Sequence, residues 1–257
     1  MAFSIPETGT KAAAELLRHD LKRYGRQMII DGWGEAAQKK LRESTVFVAG
    51  AGGLGSSAAV YLAAAGIGTI KICDHDVVEI SNLNRQILHD HTRIGVKKAL
   101  SARLTLEKVN NNVEVIPLTE KITDENADRL VGDADIIVDC MDNFPARYAL
   151  TKSAPNKNIP FIFGSVWGME GRLTFIQPPA TPCLMCIFPD PPPREVFPIV
   201  GATAGVVGSL QALEAVKYLA GVEINIKGKL LVWDGGSMEF RKFNLYRDPE
   251  CAVCGRG

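Results

Sequence analysis

The stretch "TVFVAGAGGLGSSAAVYLAAAG", Thr45 to Gly66, sets the architecture of the chain. Its opening residues are β-branched and apolar, which reads as a buried strand. Its second half is rich in alanine, entered through glycines and closed at Gly66, which reads as a helix. Between the two, Gly50, Gly52 and Gly55 form a G-x-G-x-x-G pattern. Glycine permits a tight turn and close backbone approach, and the helix after it presents unpaired N–H groups to phosphate. A second strand, "TIKICD", ends on Asp74 about 20 residues later, where a carboxylate can hold ribose hydroxyls. Strand, glycines, helix and acid together predict a nucleotide site; the bland alternative is a tight structural turn.

On the N-terminal side, Lys11 to Arg23 reads as an amphipathic helix and Glu35 to Arg42 as a second, shorter one. Downstream, a helix from Val96 to Val109 precedes a strand at "VEVIPL". A helix near Asp124 to Leu130 and a strand at "ADIIVDC" come next. Alternating strands and helices predict an α/β fold with a Rossmann-like, doubly wound, mostly parallel sheet. After Ala146 the pattern changes. One more helix leads to "PFIFGSVWG" and "GRLTFIQP", two β-rich runs joined through "MEG". A Pro-rich loop, "PDPPPREVFPI", then a long apolar helix, then "KLLVWDGGSMEFRKFNL", a hairpin turned on Gly235-Gly236, complete the chain. The expectation is one domain over 1–257 with an antiparallel C-terminal extension. Its nucleotide-binding half covers about 21–146.

Composition narrows the function classes. The 257 residues carry 29 Lys plus Arg against 29 Asp plus Glu, so no net field draws nucleic acid or an anionic membrane. The longest apolar run, "GATAGVVGSLQALEAVKYLAG", is broken by Gln211, Glu214 and Lys217 and reads as a buried helix. The first 20 residues lack a charged segment followed by an apolar core, so a secretory signal is not expected and the location expected is cytoplasmic.

The stretch "DHDVVEISNLNRQ", Asp74 to Gln86, separates two nucleotide chemistries. An NAD-dependent oxidoreductase needs little beyond the carboxylate here. Instead Asp76, Ser81, Asn82, Asn84 and Arg85 crowd behind it. Arg85 adds a fixed fork suited to phosphate oxygens. Lys98 opens a helix in "IGVKKALSA", and "DCMDN" supplies Asp139, Asp142 and Asn143 at a strand end. Cations and carboxylates converging on a nucleotide point to a triphosphate with Mg²⁺. Singly, each has a plainer reading: Arg85 and Lys98 as solvated charges, Asp142 as a helix cap.

Six cysteines are present, four of them in "CLMC" (Cys183, Cys186) and "CAVC" (Cys251, Cys254). Paired CxxC thiolates suit tetrahedral zinc. The long gap between the pairs leaves a redox pair or buried cysteines open as alternatives. Cys73 and Cys140 fall inside strands and read as small hydrophobes.

Taken in order, "RYGRQ", "GAGGLG", "DHDVVEISNLNRQ", "GVKKALSA", "DCMDN", "GSLQALEAVKYLAG" and the CxxC pairs resemble the ThiF/MoeB/HesA superfamily of adenylyltransferases, relatives of ubiquitin-activating enzymes. The resemblance runs from about Leu21 to the C-terminus. It implies ATP-dependent adenylation of the C-terminal glycine of a ubiquitin-like sulfur carrier of the MoaD/ThiS type, for molybdopterin or thiamin synthesis. By it, Asp74 would hold the ribose, with Gly53 near the phosphates. Asn82, Arg85 and Lys98 would contact the triphosphate and Asp142 would recruit Mg²⁺. Arg26 would reach the ATP of the other subunit of a homodimer. The four CxxC cysteines would hold a structural Zn²⁺, and about 147–257 would bind the carrier. In one respect the chain departs from the resemblance. Its crossover loop, "FPDPPPREVFPIVGATAGVVGS", has no cysteine, so the expected chemistry stops at the acyl-adenylate and a separate sulfur donor takes over. A non-catalytic scaffolding relative and an enzyme adenylating a tRNA base are the remaining alternatives. The former has no need for Arg26, Arg85, Lys98 and Asp142 together, and the neutral charge disfavours the latter.

Overall fold

The structure is a computed structural model that describes residues 16, 18–190 and 198–255. The chain begins with α1 (Arg18–Met28) and α2 (Gly34–Glu43), then enters the sheet through β1 (Thr45–Ala49), every residue of which is buried. Successive side chains of a strand point to opposite faces, so β1 feeds two apolar layers at once. Val46 and Val48 face one layer, and Phe47 and Ala49 the other. The first layer is covered by α2, α3 (Gly53–Ala65) and α4 (Lys98–Val109). The second lies under α5 (Ala127–Val131) and α6 (Phe144–Asn156). Gly66 closes α3 with a φ of 86°, a left-handed C-cap that a side chain would strain.

Five parallel strands carry the nucleotide-binding pattern: β1, β2 (Thr69–Cys73), β3 (Glu114–Leu118), β4 (Ile136–Asp139) and β5 (Phe161–Trp167). Three more, β6 (Glu170–Ile176), β7 (Lys229–Asp234) and β8 (Glu239–Asn244), continue from β5 in antiparallel pairing. The order across the single sheet is β3-β2-β1-β4-β5-β6-β7-β8. The winding therefore reverses between β1 and β4, and an open sheet has its crevice at such a reversal. All six residues of β8, the outer strand, are exposed.

The long helix α8 (Gly201–Ala220) crosses α3 closely enough that a Cβ on Gly208 would sit 2.3 Å from the Leu54 carbonyl oxygen. The polar residues that interrupt its apolar run have uses. Gln211 is fully buried, and its Nε2 donates to the carbonyls of Asp139 (2.6 Å) and Ile162 (3.2 Å), tying α8 to the ends of β4 and β5. Among the described residues no helix is long and apolar enough to cross a membrane.

Some boundaries differ from the sequence expectation. The first helix runs on to Met28, while 11–15 and 17 of the expected span lie outside the described residues. The α4 helix begins two residues later than expected because Val96 donates to Arg93 O and closes a turn. Asn143 caps α6 by accepting from Ala146 N at 3.1 Å, so Asp142 is not the cap. That frees the Asp142 carboxylate for another role.

Candidate nucleotide-binding site

A cavity of 650 Å³ opens at the C-terminal ends of the parallel strands. Its floor is the glycine loop. Gly50 has a φ of 99°, and a Cβ there would stand 2.7 Å from the Cys140 carbonyl oxygen. A Cβ on Gly55 would stand 2.0 Å from the Gly50 carbonyl oxygen, so the loop closes on itself only with glycine. Asp74, at the end of β2, accepts from Ala51 N (2.8 Å) through Oδ2 and from Asp76 N (2.9 Å) through Oδ1. Its carboxylate thus braces the loop from the side. His89 braces it from beneath. Its Nε2 lies 2.9 Å from Ala51 O and its Nδ1 2.9 Å from Ser101 Oγ. A carbonyl only accepts, so Nε2 carries a proton; burial lowers the His89 pKa and favours the ring without a second proton on Nδ1.

Two of the cations that line the cavity, Lys98 and Arg85, come from the segment after β2. Lys98 opens α4, is buried, and places Nζ 3.2 Å from Asp76 Oδ2. Arg85 comes after a 3-10 turn, Ile80–Asn82, and its Nη1 donates to Ser81 O and Asn84 Oδ1, both at 2.9 Å. That pair of contacts fixes the guanidinium plane while the side chain lines the cavity. Asp142 and Asn143, after β4, also line the cavity; Asn143 Nδ2 donates to Asp142 Oδ1 at 3.2 Å.

Gly50, Gly52, Gly53, Asp74, Asp76, Arg85, Lys98, Asp142 and Asn143 all line this one cavity. Gly55, Ser81, Asn82 and Arg26 do not. Gly55 is buried in the loop's closure. Ser81 donates to Glu79 Oε2 at 3.3 Å, and Asn82 accepts from Glu79 N at 3.2 Å, closing the 3-10 turn that carries Arg85. Arg26 is exposed on α1. Its helix is bolted down by buried Tyr24, whose hydroxyl accepts from Asn110 Nδ2 at 2.7 Å, and by Gln27 Nε2 donating to Ala65 O at 2.9 Å.

Several lining residues escape sequence reading. Arg147 is buried on α6, donates to the carbonyls of Met141 and Gly164, and stacks its guanidinium 4.7 Å from the centre of the Phe163 ring. Its Nε lies 3.3 Å from Oδ2 of the fully buried Asp139, near enough for attraction but without hydrogen-bond alignment. Burial outweighs the Arg147 charge and pushes the Asp139 carboxyl up to about 6. At the far end, Trp167, Glu170 and Arg172 of the β5–β6 hairpin join the lining, as does Gln86 near the loop. Of these only Gln86 belongs to a local motif, the run from Asp74, and no spacing rule marks a hairpin residue as part of a site.

The four CxxC cysteines meet beneath α7 (Leu184–Ile187), their sulfur atoms all within 4.8 Å of one another. Cys183 and Cys251 are 3.5 Å apart, Cys186 and Cys254 3.4 Å, Cys183 and Cys186 3.8 Å. Tetrahedral Zn–S bonds of about 2.3 Å give an edge of about 3.8 Å, so the set fits zinc. Burial raises the Cys183 and Cys186 thiols. Burial acts on Cys251 too, but hydrogen bonds from the backbone N–H groups of Cys254 and Val253 bring it down to about 7.

A doubly wound sheet with a glycine loop, an acid after the second strand and clustered cations at the reversal defines a nucleotide-binding α/β protein of the phosphate-handling kind. The chain belongs to the ThiF family, whose sequence model matches residues 24–253. Protein HesA of Leptolyngbya boryana is 41% identical over 243 residues, 94% of this chain and 88% of that protein. The adenylyltransferase and sulfurtransferase MOCS3 of Drosophila sechellia is 40% identical over 257 residues, 97% of this chain. This chain spans 57% of that relative's length. Among solved structures, E. coli MccB with AMPCPP and MccA superposes with a TM-score of 0.82 at 25% identity, covering 91% of this chain and 74% of that one.

Proposed function

We propose that this ThiF-family adenylyltransferase uses ATP to adenylate the C-terminal glycine of a ubiquitin-like sulfur carrier of the MoaD/ThiS type, ending in Gly-Gly. The observation that carries the reading is the linear order of the cavity. Its walls run with the strand order, from Ile122 beyond β3, past Asp74 and the glycine loop, past Asp142 after β4, to Arg172 on β6. The apolar end by Cys73 and Ile122 takes the base, and Asp74 and Asp76 the ribose. Gly52 and Gly53 lie under the phosphates, with Arg85 and Lys98 beside them. The hairpin end, where exposed Trp167 lines the cavity, is left for an incoming peptide tail.

A carboxylate oxygen of the tail attacks the α-phosphorus. The bond from that phosphorus to the bridging oxygen breaks, and pyrophosphate leaves with the electron pair. Two anions must approach, so Arg85 and Lys98 offset their repulsion and hold the phosphate chain in line. Asp142 would hold Mg²⁺, which supplies further neutralisation of the phosphate charge when bound. No side-chain nucleophile is required, because the carrier brings its own. A separate sulfur donor then attacks the glycyl carbonyl of the acyl-adenylate, the bond from that carbon to the phosphate oxygen breaks and AMP leaves, consistent with the lack of a cysteine from 187 to 208.

Arg26 lies outside the cavity of its own chain, and Ile29 (81% exposed) and Ile30 (54%) lie beside it. Both facts support a homodimer in which α1 serves the other copy's ATP. The Cys183, Cys186, Cys251 and Cys254 cluster would hold Zn²⁺ as a closed structural site in the carrier-binding half, 147–257. The test is ATP–pyrophosphate exchange against a panel of carriers ending in Gly-Gly, beside short peptides as controls. Exchange that no carrier stimulates, or reduction of NAD in its place, would overturn the reading.

A further inference from the structure

Three glutamines are buried, and two are satisfied at both ends of the carboxamide. Gln211 donates to two carbonyls and its Oε1 faces Cys140 Sγ. Gln38 accepts from Gln27 and donates to Ala65 O. The third, Gln86, is 5% exposed, and its Oε1 has no hydrogen-bond partner. Buried polar atoms without partners are few in folded proteins and each asks for a reason. A leucine or methionine would fill the same space without leaving an acceptor stranded.

The reason is where Gln86 points. It lines the nucleotide cavity between Arg85 and the glycine loop. Its Nε2 lies 3.7 Å from where a Cβ on Gly52 would be, an ordinary contact distance that sets the amide against the glycine loop. Its backbone is held by donation from its own N to Asn82 O at 3.0 Å, so the side chain starts from a fixed turn. By contrast the Asn82 carboxamide is spent on closing that turn.

We propose that Gln86 contacts the ligand's phosphate chain, donating from Nε2 to an anionic phosphate oxygen laid along the glycine loop. This rests on the proposed use of ATP and adds a residue that reads the phosphates rather than the nucleoside. The residue is kept as an amide because an N–H donor to a charged oxygen is worth more than the stranded acceptor loses.

The test measures ATP and adenosine affinity, with thermal unfolding of the ligand-free protein, in the wild type, Gln86→Met and Gln86→Glu. In Gln86→Met the ligand-free midpoint should stay level or rise, adenosine should bind as before, and ATP should bind about tenfold to hundredfold more weakly. Gln86→Glu should weaken ATP further, since it sets a carboxylate against phosphate. A lowered midpoint together with an unchanged ATP-to-adenosine ratio would make Gln86 a structural strut and overturn the inference alone. A wild type that binds ATP no better than adenosine would overturn the proposed function and this inference with it.

Discussion

The glycine-loop pocket and the cysteine cluster solve the same problem, fixing a few atoms in space, by opposite means. The pocket is preformed by backbone. Asp74 and His89 clamp Ala51 from two sides, and Gly55 lets the loop fold onto Gly50. The cluster is four sulfur atoms facing one another, with three of the four cysteines buried. The first needs no ligand to hold its shape, whereas the second would gather its stability from the proposed zinc ion. Damage to the pocket should therefore appear in chemistry, and damage to the cluster in local order.

The largest effect should come from Lys98→Ala. On the proposed function, losing one preorganised cation from the cavity should lower carrier-stimulated pyrophosphate exchange by about 10²–10³-fold. The thermal midpoint should move little, because the partner left behind, Asp76, is exposed. A midpoint that falls with the rate would erase the contrast between the regions.

Next is Asp139, whose carboxyl is raised to about 6 by burial. A folded pKa above the unfolded value near 3.9 means the native state keeps a proton that the unfolded state has lost between about pH 4 and 6. Stability contributed by this group is thus full below that window and declines across it, by on the order of 3 kcal/mol. His89, lowered by burial, works in the opposite direction as pH rises, so the raw curve blends the two. Comparing wild type with Asp139→Asn isolates the acid. Wild type should lose stability relative to the variant from pH 4 to 6, then hold a constant offset; a flat difference would show that Arg147 keeps the carboxylate ionised throughout.

Gly55→Ala should cost about 1–3 kcal/mol, since its Cβ would meet a backbone oxygen at 2.0 Å. ATP binding should fall with stability here, in contrast to Lys98→Ala; circular dichroism melts and nucleotide titration read both. The smallest global effect should belong to the cluster. Cys251→Ser, or a strong chelator, should lower the midpoint by about 2–4 °C, the equivalent of roughly 1 kcal/mol in a chain of this size. It should expose residues near 248–254 to proteolysis while leaving ATP affinity intact. Loss of ATP binding on chelation would show that the two regions are coupled.

The parallel half was legible in sequence because each of its signals is local. A β-branched run, a glycine triplet and a strand-ending acid each say what they are within a few residues. The family, the mixed sheet and the meeting of Gly50, Asp74, Arg85, Lys98 and Asp142 at one cavity all came from such local marks. The features that stayed hidden depend on long-range partners. Arg147 matters through Gly164 O, 17 residues on, and through Asp139 and Met141 across the turn from β4 into α6, and Gln211 through carbonyls of β4 and β5. Trp167 and Arg172 enter the lining only because the sheet turns antiparallel at β5. The capping of α6 by Asn143 rather than Asp142 turned on a choice between adjacent residues that both suit the position.

At the outer margin, β8 leaves one row of peptide groups facing water beside the bulky, exposed Phe240 and Phe243. Such a border invites further strands to stack on it, and fibrous assembly begins that way. Here Glu239, Arg241 and Lys242 alternate around the two rings, so an approaching strand must strip water from three charges before it can pair. The sheet can thus end in solvent without growing, and neutralising those three charges would turn its last strand into a seed.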